Sequence, residues 1–442
     1  MGYTKEEIIR IVRDEDVKFI RMQFVDVFGA LKNVAVMASQ LDVALENQVM
    51  IDGSSVAGFA DVSDSDLYLH PDLSTFAIYP WRPSRGRVAR LLCDVYHADG
   101  TPFAGDPRGA LRRVQEKAAE MGYTMEIGPE CEFFLFQTDD RGVPTTVTTD
   151  EAGYFDLGPL DQGEATRREV CLNLEEMGFT VESSHHEMAP GQHEIDFHYQ
   201  EALRAADDLT TFRLAVKTIA QRNGLHATFM PKPLEGKSGS GLHMNISLAK
   251  GGKNAFYDPN GPHGLSKEAL SFIAGILAHI DALTAIANPL VNSYKRLVPG
   301  LSAPCYKAWS ASNRSALIRI PAIRGDRVRL ELRSPDPACN PYLAFAACMA
   351  AGLEGIEKGL PAPAEVSEDL YAMSAAERAD RGVGSLPESL VEALRALKAD
   401  PFVLDVLGEH IAGAYLAGKE AEWEKYRRQV SQWEHDQYLI QY

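Results

Sequence analysis

Residues 128–136 read GPECEFFLF, and this stretch decides most of what the sequence implies about the fold. Glu130 and Glu132 are two residues apart, so a β-strand places both carboxylates on one face. The other face of the strand is apolar. A strand of this kind covers a hydrophobic core on one side only, which predicts a sheet whose second face lines a cleft.

Three more stretches repeat the pattern of one apolar and one charged face. They are residues 191–199 (GQHEIDFHY), 241–248 (GLHMNISL) and 327–337 (RVRLELRSPDP). One such strand alone is typical of a wet sheet surface, but four together predict a shared cleft. Their alternating polar residues are Glu194, Asp196, His198, His243, Asn245, Ser247, Arg327, Arg329, Glu331 and Arg333.

The residue types in this cleft indicate a metal and an anionic substrate. Carboxylates that lie close together repel each other unless a cation sits between them. A ligand set rich in oxygen, with little imidazole and no thiolate, suits Mg²⁺ or Mn²⁺ better than zinc. The arginines favour a phosphate or a carboxylate. The segment EGKSG is not a phosphate-binding P-loop, because Pro231 stands where the first glycine should be.

The composition narrows the class of protein. The formal net charge is −18, which argues against nucleic acid or an anionic membrane as the main partner. None of the six cysteines forms a C-x-x-C pair, which predicts reduced thiols and a cytoplasmic location. No uninterrupted apolar run is long enough to span a bilayer.

The chain divides near residue 100 into two predicted domains, 1–100 and 101–442. Strand-like runs dominate the first part, after a short amphipathic helix over residues 4–14 in which Thr4 and Glu7 form a capping box. Residues 97–109, HADGTPFAGDPRG, form a break. Helices are predicted beyond it at 106–121, 161–177, 203–223, 266–287, 341–358 and 387–397, and again in the tail from about residue 402.

Seven motifs then resemble a known family, the type I glutamine synthetases, and most closely their alpha branch of glutamate–ammonia ligases. They follow the family's order from about residue 20 to the C-terminus, as MIDGSSVAGF, GPECEFFLF, HHEMAPGQHEIDF, PKPLEGKSGSGLH, NSYKRLVPG, NRSALIRIP and ELRSPDPACNPYLAF. The resemblance implies an α+β fold, with a small N-terminal β-grasp domain before a large catalytic domain. That domain carries a β-sheet funnel, or half-barrel, surrounded by helices.

The resemblance also implies a reaction and an assembly. ATP phosphorylates the γ-carboxylate of glutamate, and ammonia, freed from ammonium by Asp52, attacks the acyl phosphate to give glutamine, ADP and phosphate. Members are usually dodecamers of two hexamer rings, with each active site between two subunits.

Site roles carry over by matched position. The resemblance implies that one metal is bound by Glu132, Glu187 and Glu194, and a second by Glu130, His243 and Glu331. The positions that bind the nucleotide match Glu182, Tyr199, Ser247, Arg319 and Arg329. The glutamate and ammonium positions match Arg296, Arg333, Gly239, His243, Tyr154 and Ser55. The catalytic positions match Asp52, Asp66, Arg314 and Ser302.

Ser302 marks a departure from the family pattern. The family has Tyr-Glu-Ala-Pro after NSYKRLVPG, and its glutamate lies on a flap over the acyl phosphate, whereas this chain has Leu301, Ser302, Ala303 and Pro304. A serine supplies no negative charge for ammonium. Three alternatives stay open: a glutamine synthetase that manages without the flap carboxylate, a γ-glutamyl ligase for a larger amine, and a weakly active regulatory or binding homologue.

Overall fold

The computed structural model of the chain describes residues 2–82, 85–300, 303–322 and 325–442. In chain order the strands are β1 Val17–Val25, β2 Leu31–Met37, β3 Val49–Asp52, β4 Asp66–Ile78, β5 Arg87–His97, β6 Tyr123–Thr138, β7 Pro144–Thr148, β8 Val181–His186, β9 Gln192–Phe197, β10 Gln200–Glu201, β11 Leu225–Thr228, β12 Leu242–Lys250, β13 Lys253–Asn254, β14 Trp309–Ser310, β15 Ile318–Arg319 and β16 Leu330–Leu332. The α-helices are α1 Lys5–Asp14, α2 Leu41–Leu45, α3 Pro107–Glu120, α4 Glu164–Glu176, α5 Ala202–Arg222, α6 Lys267–Ala287, α7 Ser293–Arg296, α8 Pro341–Lys358, α9 Ala375–Asp380, α10 Leu390–Lys398, α11 Pro401–Leu407, α12 Glu409–Tyr426 and α13 Gln432–Tyr438.

The first five strands form a sheet of their own, in the order β2-β1-β5-β4-β3. β1 and β5 run parallel at its centre, and the outer pairs are antiparallel. Helix α1 packs beside β1 through buried Ile8 and Val12, and it begins with the predicted capping box of Thr4 and Glu7. The sheet places Asp52 and Asp66 opposite each other, where β3 ends and β4 begins.

The second sheet has eleven strands and holds the four charged stretches. Its order is β14-β15-β16-β12-β6-β9-β8, with β7, β10 and β11 also paired to β6 and β13 paired to β12. Its register sets His243 opposite Glu130, Glu132 opposite Glu194, and Asn245 opposite Glu331. The charged faces are therefore neighbours, as the alternation predicted, and the α+β class is confirmed.

Two long helices, α6 and α8, pack against each other at close range within the core. A Cβ on Gly275 would lie 2.1 Å from the Ala351 carbonyl oxygen, and one on Gly355 would lie 2.0 Å from the Ser271 carbonyl oxygen. Only glycine fits at such a backbone approach. Among the described residues, α6 alone has the length and mean hydropathy of a membrane-spanning helix, but 67% of that window is buried inside the protein.

The sequence predicted the main helices well and two strand ends poorly. The six helices predicted between residues 106 and 397 correspond to α3, α4, α5, α6, α8 and α10, with ends displaced by at most three residues. His198 was wrongly placed on the charged face, because β9 ends at Phe197; the exposed His198 ring lies 3.1 Å from the carbonyl oxygen of the next residue, Tyr199. Arg327 likewise lies in an exposed turn before β16. The domain division at residue 100 stays a prediction.

Candidate active site

A cavity of about 940 Å³ opens over the charged face of the second sheet. Strands β6, β9, β12, β15 and β16 supply much of its wall, and loops around residues 187, 239, 303 and 314 supply more. The predicted site residues that line it are Glu130, Glu132, Tyr154, Glu187, Glu194, Gly239, His243, Arg296, Arg314, Arg319, Glu331 and Arg333.

Glu130, His243 and Glu331 converge at one end of the cavity. One ligand atom from each lies within 4.8 Å of the others. The His243 Nδ1 atom is 3.1 Å from Glu130 Oε2 and 3.8 Å from Glu331 Oε1. Burial opposes the ionisation of Glu130, but the hydrogen bond with His243 and the charge of that ring outweigh burial and hold the Glu130 pKa at about 2.

Glu132, Glu187 and Glu194 form a second acidic group that is mostly withdrawn from solvent. Burial, and then the charge of Glu187, raise the pKa of Glu132 to about 7. Burial also raises the pKa of Glu194 well above its ordinary value, with Glu132 as the largest charge contribution. The His185 ring lies between two of these carboxylates, with its Nδ1 atom 3.9 Å from Glu187 Oε1 and its Nε2 atom 3.9 Å from Glu194 Oε1.

These two groups have the chemistry of divalent metal sites. Together the two groups bring five carboxylates and one imidazole to one cavity. Burial and mutual repulsion raise the pKa values of Glu132 and Glu194, and a cation between the carboxylates would relieve the repulsion. Oxygen ligands of this kind suit a hard cation such as Mg²⁺ or Mn²⁺. The residues therefore fit the metals that the family resemblance implies.

Arginines make another part of the cavity lining cationic. Arg319 Nη1 lies 2.5 Å from Glu331 Oε2, and Arg333 Nε lies 3.0 Å from Glu331 Oε1. Arg333 also donates from Nη1 to the Arg314 carbonyl, which ties the arginine-bearing loop to β16. Because Glu331 belongs to both the acidic and the cationic walls, a metal and an anionic group bound here would be close neighbours.

Arg296 packs closely against two glycines, Gly239 and Gly241. Arg296 is buried, and its guanidinium donates to the backbone carbonyls of Ser334 and Arg333 at 2.7 and 3.1 Å. A Cβ on Gly241 would lie 2.7 Å from Arg296 Nη2 and 3.0 Å from His243 Nε2. A Cβ on Gly239 would lie 2.3 Å from the Pro231 carbonyl oxygen. Side chains at these two positions would displace the groups around them.

Several predicted site residues lie outside this cavity's lining. Asp52 and Ser55 line a separate surface cavity on the first sheet, and Asp66 is exposed beside Asp52. Both serine hydroxyls next to Asp52, those of Ser54 and Ser55, donate to its carboxylate and lower its pKa.

Four of the predicted nucleotide residues, Glu182, Tyr199, Ser247 and Arg329, are not part of the cavity lining. Glu182 and Tyr199 are exposed, and the Ser247 hydroxyl donates to Glu126. Arg329 Nε donates to Asn245 Oδ1 at 2.8 Å, and Asn245 Nδ2 donates to Glu130 Oε1 at 2.8 Å. Arg319, which was also assigned to the nucleotide, lines the cavity itself. Ser302 lies outside the described residues.

Among the lining residues to which the sequence assigned no site role are His185, Asp369 and Tyr371. His185 is the first residue of the motif HHEMAPGQHEIDF, two residues before Glu187, so this motif was a usable signal. Tyr371 is more than sixty residues from the Ala303 carbonyl, to which its hydroxyl donates at 2.6 Å. No local pattern marked that contact.

Models of one protein family match nearly the whole chain. The model described as the β-grasp domain of glutamine synthetase matches residues 16–98, and the model of its catalytic domain matches residues 104–438. The chain belongs to the glutamine synthetase family. The predicted β-grasp and catalytic parts of the fold are thereby confirmed.

Individual members of the family are similar over full length. The glutamine synthetase of Clostridium saccharobutylicum is 57% identical over 440 residues, covering 100% of this chain and 99% of its own. That of Staphylococcus aureus is 53% identical over 441 residues, with the same coverage. A solved GmaS/ADP complex has a TM-score of 0.89 at 35% identity, covering 98% of this chain and 99% of its own. A Plasmodium falciparum glutamine synthetase structure has a TM-score of 0.87 at 27% identity, covering 99% of both chains.

Proposed function

We propose that this chain catalyses the ATP-dependent ligation of ammonia to the γ-carboxyl of L-glutamate, through γ-glutamyl phosphate, to give glutamine, ADP and phosphate. Full-length relatives at 53–57% identity carry the name glutamine synthetase, which supports this activity. The observation that carries the proposal is that two acidic groups and a set of arginines line one cavity, with Glu331 in contact with members of both. Such a cavity suits a reaction that transfers a phosphoryl group between two anions.

The acidic groups are proposed to hold two divalent cations. Glu132, Glu187 and Glu194 would hold one, and Glu130, His243 and Glu331 the other. When bound, the cations supply positive charge to the transferring phosphoryl group and to the oxygen atoms beside it. Mg²⁺ and Mn²⁺ are both compatible with these ligands.

The arginines are proposed to bind and orient the two substrates. Arg296 and Arg333, with the backbone at Gly239, would hold glutamate. Arg314, Arg319 and Arg329 would face the phosphates, where a guanidinium pairs well with oxygen atoms of a transferring group. Glu182, Tyr199 and Ser247 would surround the rest of the nucleotide, and His243 would contact glutamate as well as metal.

The ammonium position is proposed to be completed by a neighbouring subunit. Asp52 would accept a proton from ammonium there, and the nitrogen would then attack the γ-carbonyl carbon and displace phosphate. Ser55 and Asp66 would lie beside Asp52, with Tyr154 from the subunit that owns the cavity. Within one chain Asp52 does not line that cavity, so this role needs an oligomer, for which we propose a dodecamer of two hexamer rings in the cytoplasm.

Ser302 is the reason for a second candidate function, that of a γ-glutamyl ligase for a larger amine. The substitution removes the family's flap carboxylate, and Ala303 next to it is buried and lines the cavity. The names of the full-length relatives favour ammonia over this alternative. A weakly active regulatory homologue is disfavoured, because every metal-ligand position and Asp52 carry the family's residue types.

Isotope transfer tests the proposed route through an acyl phosphate. Glutamate labelled with ¹⁸O in its γ-carboxylate should deliver one labelled oxygen to each phosphate released in the presence of ATP and ammonium. Unlabelled phosphate from labelled glutamate, with ¹⁸O entering phosphate only when the reaction is run in ¹⁸O-water, would contradict the route, because the γ-oxygen would then not have been phosphorylated.

A further inference from the structure

Gln192 is a fully buried polar residue at the start of β9. Its side-chain nitrogen donates to Glu132 Oε2 at 2.8 Å and to the Gly239 carbonyl at 3.1 Å. Its side-chain oxygen accepts from the Ala189 amide at 3.1 Å. Both amide protons and the carbonyl oxygen are therefore used inside the protein.

The two acceptors belong to different parts of the proposed site. Glu132 is a proposed metal ligand, whereas Gly239 belongs to the loop proposed to hold glutamate. The backbone of Gln192 adds a third connection, because its carbonyl accepts the Glu187 amide at 2.8 Å. Glu194 follows two residues later on the same strand, so its side chain lies on the same face as that of Gln192.

We propose that Gln192 is a positioning residue that couples the first metal group to the glutamate loop. Its amide and the Gly241 amide, at 3.0 Å, both donate to Glu132 Oε2. Glu132 Oε1 is left to face His243 Nε2 at 3.9 Å and the cavity. The carboxylate thus presents one fixed oxygen to a metal.

A buried carboxylate with one donor fewer is free to turn, and a ligand that turns binds metal less well. The same loss releases the Gly239 carbonyl and with it the loop beside Arg296. Metal and glutamate affinity should therefore fall together, whereas the nucleotide residues on β8 and β12 keep their contacts. This inference rests on the proposed function, but it concerns binding as well as turnover.

The test is Gln192→Met, which keeps the length and the backbone bonds and removes both donors. The matched control is Gln200→Met, because Gln200 also donates to a buried carboxylate, Asp208 Oδ2 at 2.6 Å, yet does not line the cavity. Mn²⁺ binding is measured by titration calorimetry or by the electron paramagnetic resonance of free Mn²⁺, without turnover. Glutamate and ATP are compared through KM.

For Gln192→Met the dissociation constant of Mn²⁺ should rise about tenfold to a hundredfold. The KM for glutamate should rise with it, and the KM for ATP and both constants of Gln200→Met should stay near the parent's. Unchanged Mn²⁺ binding in Gln192→Met, or equal losses in both variants, would overturn the proposal. If Gln192→Met does not fold, Gln192→Asn retains the amide but is too short to reach both acceptors, and the same losses are expected.

The parent protein separates this inference from the proposed function. A parent that binds Mn²⁺ but ligates no amine would refute the proposed function, while the difference in Mn²⁺ affinity between parent and Gln192→Met would still decide the role of Gln192.

Discussion

Arg108 offers a strong test of how the two sheets are held together. It lies at the start of α3, and its guanidinium contacts three carboxylates: Asp94 at 2.6 Å, Asp72 at 2.7 Å and Asp207 at 2.8 Å. Asp72 and Asp94 belong to the first sheet, whereas Asp207 belongs to α5 and also accepts a hydrogen bond from the Tyr342 hydroxyl on α8. One cation therefore joins the first sheet to the helices behind the second.

Replacing Arg108 with methionine removes the guanidinium that pairs with the buried Asp207, whereas Asp94 and Asp72 keep Arg112 at 2.8 and 4.0 Å. Removing one partner from a buried ionic group costs about 3–5 kcal/mol. Asp72 and Asp94 retain 23% and 16% of their side-chain exposure, so water softens the repulsion and about 3 kcal/mol is the better figure. Unfolding entropy of about 2.1 cal/mol/K per residue then converts this into a fall in Tm of roughly 3 °C for a chain of this length that melts in one transition.

Scanning calorimetry of Arg108→Met beside Arg141→Met measures this effect. Arg141 is 83% exposed and forms an ion pair with Asp139, two residues earlier, so its removal should change Tm by less than about 1 °C. Well below Tm, the KM values of Arg108→Met should match those of the parent, because Arg108 does not line the cavity. Equal melting of both variants, or a lower Tm in Arg141→Met, would refute the role given to Arg108.

Three further predictions concern the site. Burial and neighbouring carboxylates hold the pKa of Glu132 at about 7 and raise that of Glu194, so protons compete with metal below that pH. Mn²⁺ affinity should therefore rise between pH 6 and 8, and Mn²⁺ binding should release protons, which calorimetry in two buffers measures. A pH-independent affinity would contradict this prediction. Asp52→Ala should lose turnover but keep Mn²⁺ binding, and a fully active variant or an active monomer would rule out its role. Ser302→Glu adds a charge worth roughly 1.5–3 kcal/mol, so kcat/KM for ammonium should rise about tenfold to a hundredfold at constant KM for ATP; no change with any amine would exclude position 302 from the chemistry.

The sequence predicted the site through strand alternation, because a period of two places Glu130 and Glu132 on one face whatever the tertiary context. It also predicted the large helices, whose apolar pattern is long enough to be unambiguous. Alternation did not predict that Glu132 lies opposite Glu194, because it does not specify the register between two strands about sixty residues apart.

What local patterns could not predict were contacts between distant segments. Gln192 stands in a quoted motif, but its bonds to Glu132 and Gly239 depend on how three segments meet. His198 failed for the opposite reason. The alternation continues through it in the sequence, yet the strand ends one residue earlier and the chain turns toward β10.

ADP release by the purified protein with ATP, glutamate, Mg²⁺ or Mn²⁺ and a panel of amines tests the proposed function most directly. The panel runs from ammonium through methylamine to larger primary amines, with hydroxylamine as a small reactive reference. The proposal predicts that ammonium gives the highest kcat/KM and that glutamine appears in equal amount to ADP. Turnover with a larger amine but not with ammonium, or no turnover with any amine, would contradict it.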